Sequence, residues 1–374
     1  SPQELNMSHP YPTPVHPDRL LDTFLTLLRI DSPSGEEAAV MEELRRRLQA
    51  LGLETETDDA GNLIGRLKGT GEPILLCAHV DHVEPCRGIR PVVQDGVVRS
   101  DGTTILGADD TSGVAIILEL LEIAHERARQ GQEVPALDVV FTVSEETGLK
   151  GSKGLDISRL RARHGVVLDM GGPRGYITVQ GPSHDHLEIV IHGKKSHAAC
   201  APEEGVNAIR VAAEAVAAMP LGRIDEATTA NIGVIHGGTA TNVVPDRVEL
   251  KGEARSLEEE RLRRQVETML RCLEEAAGRH GARLEVHIER KYDAFRVPED
   301  APIVQMLCRS LRDFGVVPTL IPTVGGSDSN IFNARGVQTV NISTGMEHVH
   351  STEEYIALDD MVFCASVLAH MLGL

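Results

Sequence analysis

Tryptophan is absent and aromatic residues make up only 3% of the 374-residue chain, so its interior has to be aliphatic. Val, Leu, Ile and Ala are left to build it. Positive charge is scarce: 37 Lys+Arg stand against 56 Asp+Glu, a net charge of −19. A surface that acidic repels phosphate backbones and anionic lipid, which argues against nucleic acid and membrane surfaces as partners. No apolar run approaches the ~18–20 residues that span a bilayer. No basic-then-apolar stretch opens the chain as a secretory signal would. CxxC spacing is missing as well. Cys77, Cys86, Cys200, Cys272, Cys308 and Cys364 are scattered, and read as buried free thiols in a reducing compartment. The expected setting is cytoplasmic.

What is present is an ordinary globular balance, 41% hydrophobic and 25% charged, in a chain too long for one core. Residues 1–17 hold five prolines and little periodicity. They read as an arm outside the fold, with Met7 a candidate native start. From Asp18 the texture is α/β. DRLLDTFLTLL and EEAAVMEELRRRLQALG space apolar residues as helices do, with Gly52 suited to a C-terminal cap. PILLCA, LDVVFTV and HGVVLD are short and apolar throughout, as strands buried on both faces are, and the helical SGVAIILELLEIAHERARQ separates the first two. After Gly181, HLEIVIHG and RVELKGEARS alternate polar and apolar residues, the mark of half-exposed antiparallel strands. Two helical segments accompany them. The α/β texture then returns with VQMLCRSLRDF, GVQTVNIST and DDMVFCASVLAHML. The reading is an α/β domain with a central mixed sheet (18–181 and 294–374), interrupted by an α+β domain (182–293).

The polar residues at the strand exits carry the chemistry. ILLCA runs into His79 and Asp81, FTVS into Glu145 and Glu146, and VVL into Asp169. VNIST is followed by His350, and Asp109-Asp110 precede a helix. Ligands of open α/β sheets bind beyond the carboxyl ends of the strands, so these groups converge on one rim. Several carboxylates in one place repel one another, and divalent cations resolve the conflict. A set of two imidazoles and three carboxylates suits zinc, with cobalt or manganese as alternatives, better than calcium. One carboxylate bridging two ions gives a dinuclear site. In His79-Val80-Asp81 the two polar side chains point the same way, so Asp81 can orient the imidazole. If Glu146 binds metal, Glu145 is left as a proton acceptor. Taken singly these are weak: a paired Glu is usually solvated, and Asp109-Asp110 alone would read as a helix cap.

LLCAHVD, TTILGADDTSGVA, FTVSEETGLKGSKG, LDMGG and HVHSTEEY together resemble the signature segments of the two-zinc exopeptidases and deacylases. That family includes peptidase T, carboxypeptidase G, acetylornithine deacetylase and aminoacylase. GADD followed by small residues resembles the peptidase T side. The resemblance implies a zinc-exopeptidase-like catalytic domain with an inserted lid and dimerisation domain. It implies His79 and Asp169 on one metal, Glu146 and His350 on the other, Asp109 bridging, Asp81 supporting His79, and Glu145 as general acid/base. A cis peptide after Asp109 is also implied. In the inserted domain, GKKSHAA puts His197 where the family has a histidine that reaches the active site, from the other subunit in dimeric members. NVVPD and GEARS put Asn242 and Arg255 where it has substrate contacts. GGSDSN (325–330) resembles its pocket-lining loop. His348 and His82 depart from the common pattern.

The implied activity is metal-dependent hydrolysis of short peptides by an aminopeptidase or tripeptidase, in a chain able to form a homodimer through the inserted domain. An N-acyl amino acid deacylase or carboxypeptidase is the alternative within the family, and a non-catalytic binding module is the alternative outside it. For an α-ammonium partner, Asp185 and Glu347 are candidates.

Overall fold

The computed structural model describes residues 12–374. By their internal contacts the described residues divide into two units: 12–179, 296–321 and 327–374 form the first, and 180–295 with 322–326 the second.

The first unit is built on a nine-stranded mixed sheet. Its first seven strands lie in the order Glu54–Thr57, Leu63–Leu67, Pro135–Thr142, Thr70–His79, His164–Val167, Gln338–Ile342, Tyr176–Gly181. The central four, Pro135–Thr142 through Gln338–Ile342, are mutually parallel, and antiparallel strands flank them on both sides. The second half of Thr70–His79 and nearly all of Pro135–Thr142 are buried, as their unbroken apolar texture requires. Gly165 lets its strand approach closely, since a Cβ there would meet the Leu75 carbonyl at 2.2 Å.

Helices cover the sheet for reasons visible in their spacing. Pro17–Leu28 starts on a proline, which helices favour in their first turn, and buries Leu20, Phe24, Leu27 and Leu28. Ala38–Ala50 buries Val40, Met41, Leu44 and Leu48, and Gly52 follows its end at φ +83°. Ala108–Arg129 is buried over most of its length, as a helix covered on several sides must be. A four-stranded sheet, in the order Met346–Glu347, Tyr355–Ala357, Val97–Arg99, Val92–Gln94, was not expected. Its strands have two or three residues, too few to show a period.

Two expectations are corrected. Residues 12–17 are no free arm: the Thr13 and Ser366 hydroxyls are 2.7 Å apart, Val15 is buried, and the His16 amide donates to Glu119 at 2.8 Å. Prolines removed the periodicity without removing the contacts. Residues 1–11 lie outside the described residues. All six cysteines are free, but only Cys77, Cys86, Cys308 and Cys364 are buried; Cys200 is exposed and Cys272 half-buried.

The second unit is a five-stranded antiparallel sheet, Gly222–Arg223, Thr228–Gly237, Arg247–Ser256, Ser183–His192, Arg283–Tyr292. Burial alternates along Ser183–His192 and Arg247–Ser256, so one face packs inward. Leu187, Ile189, Ile191, Val248 and Leu250 meet Val211 and Ala215 of helix Ala208–Ala218, and Leu262, Met269 and Leu273 of helix Glu259–His280.

One buried acid ties the central strands together. Asp138 accepts from the Arg161 and Ala162 amides at 2.6 and 2.8 Å and from the Arg161 guanidinium at 2.9 Å. Asp138→Ala leaves these donors without an acceptor and should lower the unfolding free energy by about 3 kcal/mol, read as a shifted urea midpoint. An unchanged midpoint refutes the tie.

Candidate metal centre

The four parallel strands end at one rim, and the predicted groups stand on it. His79 closes its strand, Glu145 and Glu146 follow Thr142, Asp169 follows Val167, and His350 lies in the loop beyond Ile342. Asp109 opens the Ala108–Arg129 helix, and the Asp109–Asp110 peptide bond is cis. One Asp109 oxygen is 2.9 Å from His79 Nε2, and the other is 3.0 Å from His350 Nε2. His350 Nε2 also lies 2.8 Å from Glu146 Oε1. From His79 Nε2, Asp169 is 3.8 Å away, Glu145 3.9 Å and Glu146 4.0 Å. Three groups have donor atoms all within 4.8 Å of one another: His79/Asp109/Asp169, His79/Glu145/Glu146 and Asp109/Glu146/His350. The set mixes imidazole and carboxylate and has one acid facing both rings, which fits a pair of divalent cations sharing Asp109.

The electrostatics show what the cluster needs. Burial pushes the carboxyl groups of Glu145, Asp169 and Asp110 well above the usual range, and their acidic neighbours add to it. Burial also opposes ionisation of Asp109, but hydrogen bonds with His350 and His79 hold it well below the ordinary value. His350 is raised to about 10 by hydrogen bonds with Asp109 and Glu146. Burial and neighbouring acids thus work against charge on Glu145, Asp169 and Asp110, while Asp109 and His350 each favour the charged form of the other.

Asp81 does more than the spacing suggested. His79 Nδ1 lies 3.1 Å from the Asp81 main-chain oxygen, and the carboxylate is slightly farther at 3.4 Å. The carboxylate accepts instead from the Glu145 amide (2.9 Å), the Glu146 amide (3.1 Å) and the Ser34 hydroxyl (2.6 Å). Glu37 holds the same turn from the other side, accepting from the Ser144 amide at 2.9 Å. Sequence reasoning missed both ties because the acceptors are far from the turn in the chain and backbone donors leave no residue signature.

His82 is a buried neutral ring. Desolvation lowers it to about 4, and its Nε2 lies 2.9 Å from the Thr111 hydroxyl. It fills the space beside Gly107, whose φ is +85° and whose Cβ would meet the ring at 2.9 Å. His348 lies outside the cluster, 3.8 Å from Glu353 and beside the Tyr355 ring. Glu347 ends a short strand.

The other predicted residues belong to the second unit. The Ala199 and Cys200 amides both donate to His197 Nδ1 at 3.1 Å, which leaves the ring proton on Nε2 as an outward donor. The Ala198 amide donates to the Asn242 carbonyl at 3.0 Å, which ties the two loops to each other. Arg255 is already engaged: two of its nitrogens donate to Glu253 at 3.0 Å and a third to the Tyr292 hydroxyl at 3.2 Å. Asp185 pairs with Arg290 at 2.6 Å.

Comparison with known proteins agrees with this geometry. A peptidase dimerisation domain model matches residues 183–281, and a model of peptidase family M28 matches residues 62–210. The uncharacterized protein YqjE of Bacillus subtilis strain 168 is 40% identical over 364 residues, 95% of this chain and 97% of its own. Crystal structures of aminopeptidase PepT from Bacillus cereus and of a tripeptidase from Staphylococcus aureus are each 37% identical, cover 96% of this chain and 98% of theirs, and superpose with TM-scores of 0.88 and 0.91. Fold and relatives define a metallopeptidase. Full-length similarity above one-third identity narrows the class further. The chain belongs to the M20 peptidase family, as a peptidase T-like member.

Asp81→Ala removes the carboxylate that holds the Glu145–Glu146 turn and flanks the ring at 3.4 Å, while the main-chain oxygen facing Nδ1 stays. The substitution should weaken metal binding by ~10–100-fold, measured by chelator competition. Unaltered affinity would remove Asp81 from the metal centre.

Proposed function

We propose that the chain is a two-metal aminopeptidase that hydrolyses short peptides, tripeptides foremost. The observation that carries this reading is Asp109, whose two oxygens face His79 and His350 separately. His79 and Asp169 would hold one cation, Glu146 and His350 the other, with Asp109 between them. Zinc is favoured by the mixture of imidazole and carboxylate, with cobalt and manganese as alternatives. A bound pair supplies Lewis acidity, which lowers the pKa of a water and polarises a carbonyl.

This chain's residues do the rest. Glu145 is buried and is not needed by either ligand set, so its carboxylate takes the proton of the attacking water and returns it to the departing amine. Asp81 and Glu37 fix the turn that aims it. His197, with its proton on Nε2, is suited to donate to the oxygen of the tetrahedral intermediate. Arg255 suits a peptide carboxylate, but its fork is shared with Glu253, so a substrate has to compete for it. Asn242 rides on the His197 loop as a second polar contact. Residues 182–293 act as lid and dimerisation domain. The two-residue strand Gly222–Arg223 pairs only with Thr229–Ala230, which leaves the rest of Thr228–Gly237 an edge carrying the exposed Val234 and Ile235. No described helix is long and apolar enough to cross a membrane, and the free thiols suit a cytoplasmic setting.

Two measurements test the reading. A free tripeptide should be cleaved with kcat/KM more than ~10²-fold above its N-acetylated form; the reverse preference would make the enzyme a deacylase. Glu145→Gln should lower kcat by ~10²–10⁴-fold with metal content by elemental analysis unchanged. Near-normal turnover would dismiss Glu145 as the base.

A further inference from the structure

Glu354 is 1% exposed. Its Oε1 accepts from the Leu106 and Gly107 amides at 2.9 and 2.7 Å, and its Oε2 from the Asp109 amide at 3.0 Å. No Lys, Arg or His among the described residues forms an ion pair with it at the distances of the other bridges. The carboxylate is held by backbone N–H groups of the segment that leads into the Ala108–Arg129 helix, where Asp109 and Asp110 are not yet in helical conformation.

Helix starts are usually capped by the residue next to them. Here that position is Gly107, and the His82 ring occupies the place of any side chain it could carry. The cap therefore comes from 245 residues away. It comes from the loop that also carries His350, four residues earlier. That loop has little regular structure: His348 and His350 both have positive φ, at +53° and +62°. One buried carboxylate thus joins the backbone of Asp109 to the segment bearing His350, and the side chains of those two residues meet at 3.0 Å. HVHSTEEY contains Glu354, but its spacing reveals no partner.

We propose that Glu354 is a positioning residue that sets the separation of Asp109 and His350, and so the affinity of the cation between them, without touching it. This rests on the two-metal reading above. A cap serving only helix stability would not discriminate between the two cation positions. Asp109 is shared by both positions in that reading whereas His350 belongs to one, so positioning of this kind weakens the Glu146/His350 position more than the His79/Asp169 position.

The test is a titration of the chelator-stripped full-length protein with Co²⁺, followed by visible absorption. Wild type should fill two sites. Glu354→Ala should weaken one of them by ~10–100-fold and the other, which shares only Asp109, by several-fold less. Glu354→Gln keeps one accepting oxygen and should fall between, and it replaces the alanine variant in the titration should that variant not fold. Thermal unfolding of the stripped proteins records the structural cost separately. If a folded variant binds both ions as wild type does, or loses affinity equally at both sites, the proposal is overturned while the two-metal reading stands. If wild type fills fewer than two sites, the two-metal reading itself fails.

Discussion

Buried negative charge at the end of four parallel strands is the constraint around which this molecule is arranged. The acids there fall into two kinds. Asp81, Glu37 and Glu354 accept from backbone amides, although at Glu354 burial still outweighs those bonds and raises the carboxyl to about 7. They frame the site. Asp109, Glu146, Asp169 and Glu145 face one another and the two imidazoles, and burial works against their ionisation. Asp109 is compensated by the two imidazoles, and for Glu145, Glu146 and Asp169 bound cations would relieve the crowding while leaving them free for the roles proposed above. The frame is what allows the second group to be crowded, because a turn fixed through its own amides cannot swing a carboxylate away to relieve repulsion.

The second group was legible in the amino-acid sequence and the frame was not. His79, Glu145, Glu146 and Asp169 stand directly after apolar runs, where residue type and position coincide, and signature segments marked Asp109 and His350. Asp81 stood out for its place beside His79, yet its carboxylate mostly serves the Glu145–Glu146 turn, 64 and 65 residues away. Glu37 and Glu354 offered nothing, since an acid that accepts from backbone has no recognisable partner type. His82 stood out only as a departure from pattern. Its place depends on Gly107 having positive φ and no side chain, which no local spacing encodes. The alternating strands and apolar runs were readable because each spans eight to ten residues in its longest cases. The four-stranded sheet was not, because its pieces are shorter than any period.

In the second unit the polar residues are arranged by a different logic, preorganisation rather than charge crowding. His197 accepts two backbone amides at Nδ1, so its tautomer is decided before any substrate arrives, and the donor face carries no reorganisation cost. Arg255 is neutralised in place by Glu253, whose carboxyl is lowered to about 2, first through its hydrogen bond with His184 and then through Arg255. A guanidinium so paired is aligned but not hungry for an anion. If it meets a substrate carboxylate as proposed, its contribution would be the difference between two good forks, which is small. In the proposed function more weight would fall on groups that gain a partner without losing one, and the outward Nε2 donor of His197 is such a group.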